Sequence, residues 1–334
     1  MEKNKKIAKN YKGIPALILR NLLYTMVKIR LVEENISNLY HKHEMRCPMH
    51  LCTGQEAVST GVCLNLKKGD VSFSSHRAHG YYIGRGGSLK FLMAEFFGKN
   101  AGCAKGKGGS QHLVCSDVGL LGSSAIVGGT LPICVGAGLA IKMIKKRSVA
   151  LVNFGDGAAD EGVLYESLNF AALKKLPVVF ICENNFYATH AHQSVRQARD
   201  NIYLKARAFG VSSVRVDGNN VLEVFKAGRN AVAAARKGKG PHLVECRTYR
   251  WLEHVGPDYD YNLGYRSKKE VDKWKNKCPI KKFSEFLLKE KLIRKQEIDN
   301  IYKGIKEEIE EALKFAKKSP FPLYSELTKD VYYI

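Results

Sequence analysis

Residues 149–190 read VALVNFGDGAADEGVLYESLNFAALKKLPVVFICENNFYATH. One continuous apolar run (149–154) ends in the triplet GDG (155–157), and a second apolar run (177–182) ends in ENN (183–185). The amphipathic segment between the two runs predicts a helix. Buried, β-branched runs on either side of a helix are typical of neighbouring strands in a parallel sheet that is covered on both faces.

The same alternation continues on both sides of this stretch. We predict strands at 211–216 and 242–248, and helices over 198–209 and 221–236. A long helical pattern also occupies residues 15–40. The sequence therefore predicts an α/β fold of three layers, with a mostly parallel sheet covered by helices.

The chain divides into three segments by composition. Residues 1–12 form a basic lead that we expect to be disordered. Residues 13–264 contain the predicted α/β domain. Residues 265–334 are strongly helical and charged, and we expect them to form a helical C-terminal region packed on that domain.

Composition excludes several classes of protein. Hydrophobic residues make up 45% of the 334 residues and charged residues 26%, as in a soluble globular enzyme. No apolar stretch approaches the roughly 20 residues of a membrane helix, and the basic start lacks the apolar core of a secretory signal. The nine cysteines include no Cys-x-x-Cys pair, which favours free thiols in a reducing compartment. We therefore predict a cytoplasmic protein without membrane association.

The net charge of +22 is unusual and raises the question of an acidic partner. The excess is spread along the chain and consists mainly of lysine, whereas base reading favours arginine. The sequence also lacks an RNP-type aromatic motif and zinc-finger spacing. We therefore expect no nucleic-acid partner, and we interpret most of the excess as a solvated, lysine-rich surface.

The turns 155–157 and 183–185 place oxygen-bearing side chains at one edge of the sheet. Both strands of a βαβ unit end at the same edge, where ligands bind in such folds. Asp156 and Asn185 should therefore lie close together, although 29 positions separate them. Carboxylate and amide oxygens are suitable ligands for Mg²⁺. Two of them leave the remaining coordination positions of the ion to phosphate and water. The adjacent glycines let backbone N–H groups approach a diphosphate, and the positive N-terminus of the following helix attracts it.

This arrangement resembles the thiamin diphosphate motif, in which NN follows GDG at a similar distance; here 26 residues intervene. Other segments resemble, in the same order, the α subunit of the E1 component of thiamin diphosphate-dependent 2-oxo acid dehydrogenases of the pyruvate and acetoin type. These segments are HLCTGQEA (50–57), HRAHG (76–80), AGCAKGKGGSQH (101–112), AIVG (125–128) and RTYR (247–250). The resemblance covers roughly residues 15–325 and implies the thiamin diphosphate-binding fold.

The resemblance implies a set of residues that bind the cofactor and its metal. Asp156 and Asn185 match Mg²⁺ ligands that act through side-chain oxygens, and Tyr187 matches a ligand that acts through its backbone carbonyl. The implied cofactor-binding residues are His76, Arg77, Ala125, Val127, Asp156, Gly157, Ala158, Asn185 and Arg250. Within this set Arg77 matches the arginine that clamps the diphosphate, which suits its fixed cationic fork.

Four other residues of this set match contacts that are made through the backbone, and His76 departs from the family pattern. Gly157 and Ala158 match backbone contacts to the diphosphate. Ala125 and Val127 match positions whose backbone touches the aminopyrimidine ring. The family usually has tyrosine at the position of His76, so the resemblance implies a phosphate contact there with altered chemistry.

Two histidines match active-site histidines of the family: His50, in HLCTGQEA, and His254, in RTYRWLEHVGPD. A neutral imidazole can accept and donate protons while the cofactor carries the carbon chemistry. The resemblance implies decarboxylation of pyruvate or a similar short 2-oxo acid, or cleavage of acetoin, with transfer of the acyl unit to a lipoyl group.

The resemblance also implies partners. Such enzymes need a glutamate against the aminopyrimidine ring, carried by a second, homologous domain that this sequence lacks. We therefore expect a separate β subunit in an α₂β₂ assembly, and a lipoyl acyltransferase core as a further partner.

Residues 251–257 depart from the family pattern. Glu253 replaces a glycine, and Val255 replaces the serine that is phosphorylated in some relatives, so we do not expect that control here. The altered loop motivates an alternative: a thiamin diphosphate-dependent decarboxylase or carboligase subunit of a specialised biosynthetic pathway, without lipoyl transfer. His190 and His192 either line the entrance to the active site or are solvent-exposed residues of a loop, and we favour the loop.

Overall fold

The computed structural model of the chain describes residue 11 and residues 13–45 and 47–329. Eight strands lie within these residues: β1 Val71–Ser75, β2 Leu120–Ser124, β3 Ala150–Gly155, β4 Val178–Asn184, β5 Tyr187–Ala188, β6 Ala191–His192, β7 Ser212–Asp217 and β8 His242–Arg247. The α-helices of the same residues are α1 Ala16–Tyr40, α2 Glu56–Cys63, α3 His79–Gly84, α4 Leu89–Phe96, α5 Thr130–Met143, α6 Gly162–Leu173, α7 Gln193–Arg196, α8 Ile202–Ala208, α9 Val221–Arg236, α10 Lys268–Lys275, α11 Pro279–Lys289 and α12 Lys295–Lys318.

Six of the strands form one sheet in the order β2-β1-β3-β4-β8-β7, and all neighbours in it are parallel. The sequence prediction of a parallel sheet is confirmed. In the central pair, Gly155 of β3 lies opposite Glu183 of β4. The two strands therefore end at the same level, and the polar residues that follow them emerge at one edge.

The sheet is buried between two layers of helices. On one face Val152 and Phe180 pack with side chains of α5, α6 and α8. On the other face Leu151 and Val179 pack with side chains of α2 and α9. Successive residues of a strand point to opposite faces. Because both faces are covered, the strands read as continuous apolar runs rather than as alternating patterns.

A further apolar cluster joins the C-terminal helices to the rest of the chain. It contains side chains of α1, α4, α11 and α12, among them Leu22, Leu92, Phe283 and Ile305. The helical pattern seen after residue 265 thus corresponds to α10, α11 and α12, and the last two pack against the first and fourth helices.

Two helix boundaries differ from the sequence-based prediction. The helix predicted between the two apolar runs 149–154 and 177–182 begins only at Gly162, because Asp156–Asp160 form a 3₁₀ turn and the extended backbone of Glu161 separates this turn from α6. The helix predicted over 198–209 begins only at Ile202. The hairpin of β5 and β6 was not predicted, since two-residue strands carry no measurable period.

The remaining predictions concern the ends of the chain and its thiols. The basic lead predicted over 1–12 lies outside the described residues except for Tyr11. Within the described part of the chain, no helix is both long and apolar enough to cross a bilayer. The nine cysteines, all of which are described, are free thiols.

Candidate functional site

A cavity of about 400 Å³ opens at the carboxyl edge of the sheet. Residues that follow the ends of β1, β2, β3 and β4 form much of its wall. Eleven of the twelve residues predicted for the site line this cavity, and these are His50, His76, Arg77, Ala125, Val127, Asp156, Gly157, Ala158, Asn185, Tyr187 and His254. The twelfth, Arg250, does not line it. Residues from six separate segments of the sequence therefore meet at one place.

The position of the cavity follows from the strand order. The chain passes from β1 to β2 on one side and continues with β3 on the other side of β1. At such a switch point the connections diverge and leave a crevice outside the carboxyl ends of the strands. His76 and Arg77 follow β1, and Asp156 follows β3, so these side chains lie at the crevice.

Asp156 is 1% exposed. Its Oδ2 is ion-paired with Arg196, which also binds Asp160. Its Oδ1 is buried as well and has no hydrogen-bond partner among the described residues. Burial raises the pKa of the Asp156 carboxyl, and the Arg196 charge opposes that shift. An arginine thus holds one oxygen of this carboxylate, and the other is available to a cation in the cavity.

The two asparagines at the end of β4 have different contacts. Asn184 donates to Glu245 Oε1 at 2.8 Å and does not line the cavity, so its contacts hold the turn in place. Asn185 does line the cavity. Its Oδ1 accepts from the backbone N–H of Tyr187 at 3.2 Å, and its Nδ2 donates to Gln55 Oε1 at 2.9 Å.

Gly157 permits a close approach of two backbone segments. A Cβ atom built on Gly157 would lie 2.8 Å from the Cβ of Ala188, closer than real carbon atoms approach. Any side chain here would push the turn at 156–160 away from β5. Both Gly157 and Ala158 line the cavity, and with so little side chain their backbone is open to a ligand.

Arg77 provides a fixed positive charge in the cavity wall. It is buried, and its guanidinium donates to the backbone carbonyl of Leu51 and, at 3.3 Å, to that of His254. Burial, followed by the charge of Arg250, lowers the pKa of Arg77 to about 10. Arg77 therefore stays cationic at neutral pH.

Three imidazole rings meet in the cavity. Their centroids are 4.7 Å apart for His50 and His76, 5.1 Å for His50 and His254, and 5.3 Å for His76 and His254. Burial, followed by the Arg77 charge, lowers the pKa of His50 to about 2 and the pKa values of His76 and His254 to about 3. All three rings are therefore neutral at physiological pH, and each retains a nitrogen lone pair.

The sequence matches the dehydrogenase E1 component family over residues 24–324. The chain belongs to this family. It is 40% identical over 308 residues to the alpha subunit of acetoin:2,6-dichlorophenolindophenol oxidoreductase of Bacillus subtilis (strain 168), a match that covers 92% of this chain and 91% of the relative.

Pyruvate dehydrogenase subunits are also among the relatives of this E1 chain. It is 37% identical over 313 residues to the chloroplastic pyruvate dehydrogenase E1 component subunit alpha-3 of Arabidopsis thaliana, covering 92% of this chain and 72% of that protein. It is 37% identical over 308 residues to the somatic, mitochondrial form of the human E1 component subunit alpha, covering 92% and 77%. The resemblance to E1 α subunits of the pyruvate and acetoin type is confirmed.

In this E1 chain Arg250, which we predicted among the cofactor-binding residues, is not one of the residues that line the cavity. It is 1% exposed, and it pairs with Asp260 at 2.8 Å. Arg266 pairs with the second oxygen of the same carboxylate at 2.5 Å. Arg250 also donates to the backbone carbonyl of Leu252 at 2.6 Å. Its contacts thus hold the loop that carries His254.

His190 and His192 do not line the cavity either. The ring of His190 packs against Tyr265, with 4.7 Å between centroids, and Nδ1 of His192 bonds the hydroxyl of Ser194 at 2.8 Å. His190 lies in the turn between β5 and β6, and His192 is the last residue of β6, so both histidines belong to the hairpin after β4 and not to the cavity wall.

Glu183 and Gln55 are among the cavity-lining residues that sequence reasoning did not assign to the site. The amide of Gln55 donates to Glu183 Oε2 at 2.8 Å and links it to Asn185. Burial raises the pKa of Glu183 to about 7, although the nearby Tyr81 hydroxyl and the charge of Arg77 oppose the shift. Both residues stand in recognised motifs, but only the fold reveals that their side chains meet.

We expect Glu183→Gln to change how stability depends on pH. The pKa of Glu183 is about 7 in the folded chain against an ordinary value of 4.5, so the folded state retains a proton that the unfolded state loses. This contribution is complete below about pH 4.5 and is lost as the pH rises towards 7. Between about pH 5 and 8, wild type should lose up to about 3 kcal/mol of unfolding free energy relative to the variant.

Denaturant unfolding of wild type and variant at several pH values checks this expectation. Glu311→Gln, at an exposed glutamate on α12, is the control and should give a difference that is independent of pH. If wild type and Glu183→Gln differ by a constant amount at every pH, Glu183 does not hold a proton in the folded chain.

Proposed function

We propose that this chain is the α subunit of a thiamin diphosphate- and Mg²⁺-dependent 2-oxo acid dehydrogenase E1. Its substrate is pyruvate or a similar short 2-oxo acid, or acetoin, and its acyl product passes to a lipoyl group. The observation that carries the proposal is the meeting of eleven residues at one cavity in a chain of the E1 family. The nine free thiols accord with a cytoplasmic location.

The donor set at the end of β3 and β4 fits a hard divalent cation. Oδ1 of Asp156 is buried without a partner, and a bound cation would offset that desolvation. Asn185 offers a side-chain oxygen and Tyr187 a backbone carbonyl, the kinds of ligand that Mg²⁺ accepts beside phosphate and water. Arg196, by holding Oδ2 of Asp156, orients the oxygen that would bind the metal.

The neighbouring wall fits a diphosphate. Arg77 is a buried, fixed cation with the planar geometry that suits phosphate oxygens. The backbone at Gly157 and Ala158 is accessible from the cavity. When bound, thiamin diphosphate supplies the carbon nucleophile that makes decarboxylation of a 2-oxo acid possible.

His50 and His254 are the groups we assign to proton transfer. Because both rings are neutral at physiological pH, each can accept a proton at one nitrogen and donate one from the other. His254 lies on the loop after β8, and its backbone carbonyl accepts from Arg77 at 3.3 Å. The residue proposed to clamp the diphosphate therefore also positions the loop of the proposed proton-transfer residue.

A second subunit completes the active site in this proposal. At the cavity, Ile126 and Val127 are 73% and 50% exposed. The solvent-facing side of α5 continues this apolar surface with small and apolar residues at helical spacing: Ile133, Gly136, Ala140 and Met143. Exposed apolar side chains grouped in this way favour a protein interface. Its continuity with the cavity supports a β subunit that contributes to the site, in an α₂β₂ assembly.

Co-expression with a candidate β subunit tests the function. We expect pyruvate- or acetoin-dependent reduction of the dye 2,6-dichlorophenolindophenol only when both subunits, thiamin diphosphate and Mg²⁺ are present. Each subunit assayed alone is the control and should be inactive. Full activity of the isolated chain would contradict the proposal of a divided active site.

The changed loop at 251–257 favours a second candidate, a decarboxylase or carboligase without lipoyl transfer. Val255, at the position of the family's serine, is 39% exposed near the cavity. In the same co-expressed complex, a lipoyl domain in place of the dye separates the two functions. Acylation of that domain supports the dehydrogenase and the acyltransferase partner, and carbon–carbon ligation without acylation supports the alternative.

A further inference from the structure

The three histidines of the cavity have a geometric property that proton transfer does not require. One ligand nitrogen from each of His50, His76 and His254 lies within 4.8 Å of the other two. Among all histidine, cysteine, aspartate and glutamate side chains in the described part of the chain, these three are the group of three or more whose ligand atoms converge in this way. The rings come from the loop before α2, the residue after β1 and the loop after β8.

We propose that His50, His76 and His254 form a binding site for a transition-metal dication such as Zn²⁺ or Co²⁺. Zinc–nitrogen bonds are about 2.0–2.1 Å long, so two nitrogens on one tetrahedral ion lie about 3.4 Å apart. The ligand nitrogens of the three rings already lie within 4.8 Å of one another, so rotations of the rings that bring them closer by about 1.4 Å let them share an ion. Imidazole suits zinc and cobalt, whereas Mg²⁺ prefers oxygen. The cluster therefore selects metals different from those suited to Asp156 and Asn185.

The electrostatics of the cluster affect such an ion in two opposite ways, because the burial and the Arg77 charge that lower the pKa values of the rings also oppose a dication. A metal must compete with protons for histidine nitrogens, and the low pKa values of these rings remove that competition at neutral pH. The nearby positive charge of Arg77 opposes a bare dication, although its guanidinium is engaged by the carbonyls of Leu51 and His254. An anion as fourth ligand, either hydroxide or the carboxylate of a small acid, offsets that repulsion.

A metal at this site regulates the cavity. It occupies the lone pairs of His50 and His254, the residues assigned to proton transfer, and it ties the loop at 251–257 to the opposite wall. The expected consequence is inhibition by Zn²⁺ that chelation reverses. This consequence rests on the proposed function, whereas the binding of the metal does not.

Titration of Co²⁺ into the full-length chain, in excess Mg²⁺ and without thiamin diphosphate, tests the site. We expect the intense visible absorption of four-coordinate Co²⁺ bound to imidazole. His76→Phe and His254→Gln should each weaken Co²⁺ binding by more than the roughly 10-fold that loss of an outer contact costs. His112→Gln is the matched control, because His112 is exposed and lies outside the cavity, and it should bind as wild type does.

The inference is overturned if no such band appears, or if both cavity variants that retain native circular dichroism bind Co²⁺ as tightly as wild type. Two independent variants keep the test decisive if one of them fails to fold. A chain that shows the histidine-dependent band, but whose complex with the β subunit never binds thiamin diphosphate, would support this inference and contradict the proposed function. A chain whose complex binds thiamin diphosphate but that never shows the band would overturn this inference alone.

Discussion

Asp156→Ala is expected to abolish Mg²⁺-dependent binding of thiamin diphosphate and to leave the fold intact. The substitution removes a buried carboxylate oxygen that has no protein partner, together with the negative charge that faces the cavity. Burial raises the pKa of this carboxyl, so its removal also relieves a desolvation cost. Arg196 retains its pairing with Asp160. Calorimetric titration of the cofactor with Mg²⁺ into the complex with the β subunit measures the binding, and circular dichroism verifies the fold.

Two further variants make this result specific. Arg196→Gln keeps Oδ1 of Asp156 but releases Oδ2, so we expect Mg²⁺ affinity to fall by about 10-fold rather than to vanish. Asp200→Ala removes an aspartate that pairs with Arg247 away from the cavity, and it should bind the cofactor normally. Unchanged cofactor affinity in Asp156→Ala would contradict the assignment of Asp156 as a metal ligand.

His254→Ala is expected to lower turnover by roughly 10²-fold or more, the usual contribution of a positioned acid or base. Cofactor binding should change little, because Arg77 bonds the backbone carbonyl of residue 254, which alanine retains. The loss should therefore appear in kcat of the complex with the β subunit rather than in cofactor affinity.

The comparison with a second histidine separates proton transfer from general effects of the substitution. His112→Ala removes an exposed imidazole outside the cavity and should leave kcat at the wild-type value. Wild-type turnover in His254→Ala would show that the altered loop at 251–257 serves another purpose.

The sheet and its functional edge could be predicted from the sequence for a physical reason. Strands buried on both faces must be apolar throughout, so the runs at 149–154 and 177–182 are unambiguous. Parallel strands end at a common edge, so the polar residues after each run had to meet. Gly155 pairs with Glu183 in the sheet, which confirms that the two strands end at the same level.

Other parts of the site depend on contacts between distant residues, which no local pattern contains. Arg250 stands in a recognised motif, but its side chain pairs with the Asp260 carboxylate, and it is not among the residues that line the cavity. Burial raises the pKa of Glu183. The apolar run at 177–182 predicts a buried strand, but it does not predict that the glutamate after the run is also buried. The ion pair of Asp156 with Arg196 joins positions 40 residues apart.

The central claim is that this chain holds thiamin diphosphate and Mg²⁺ at a site completed by a second subunit. The most direct test is calorimetric titration of thiamin diphosphate with Mg²⁺ into the chain alone and into the chain co-purified with its β subunit. We predict tight, Mg²⁺-dependent binding only in the complex. Absence of binding in both preparations would contradict the claim and would leave the chain with a non-catalytic role.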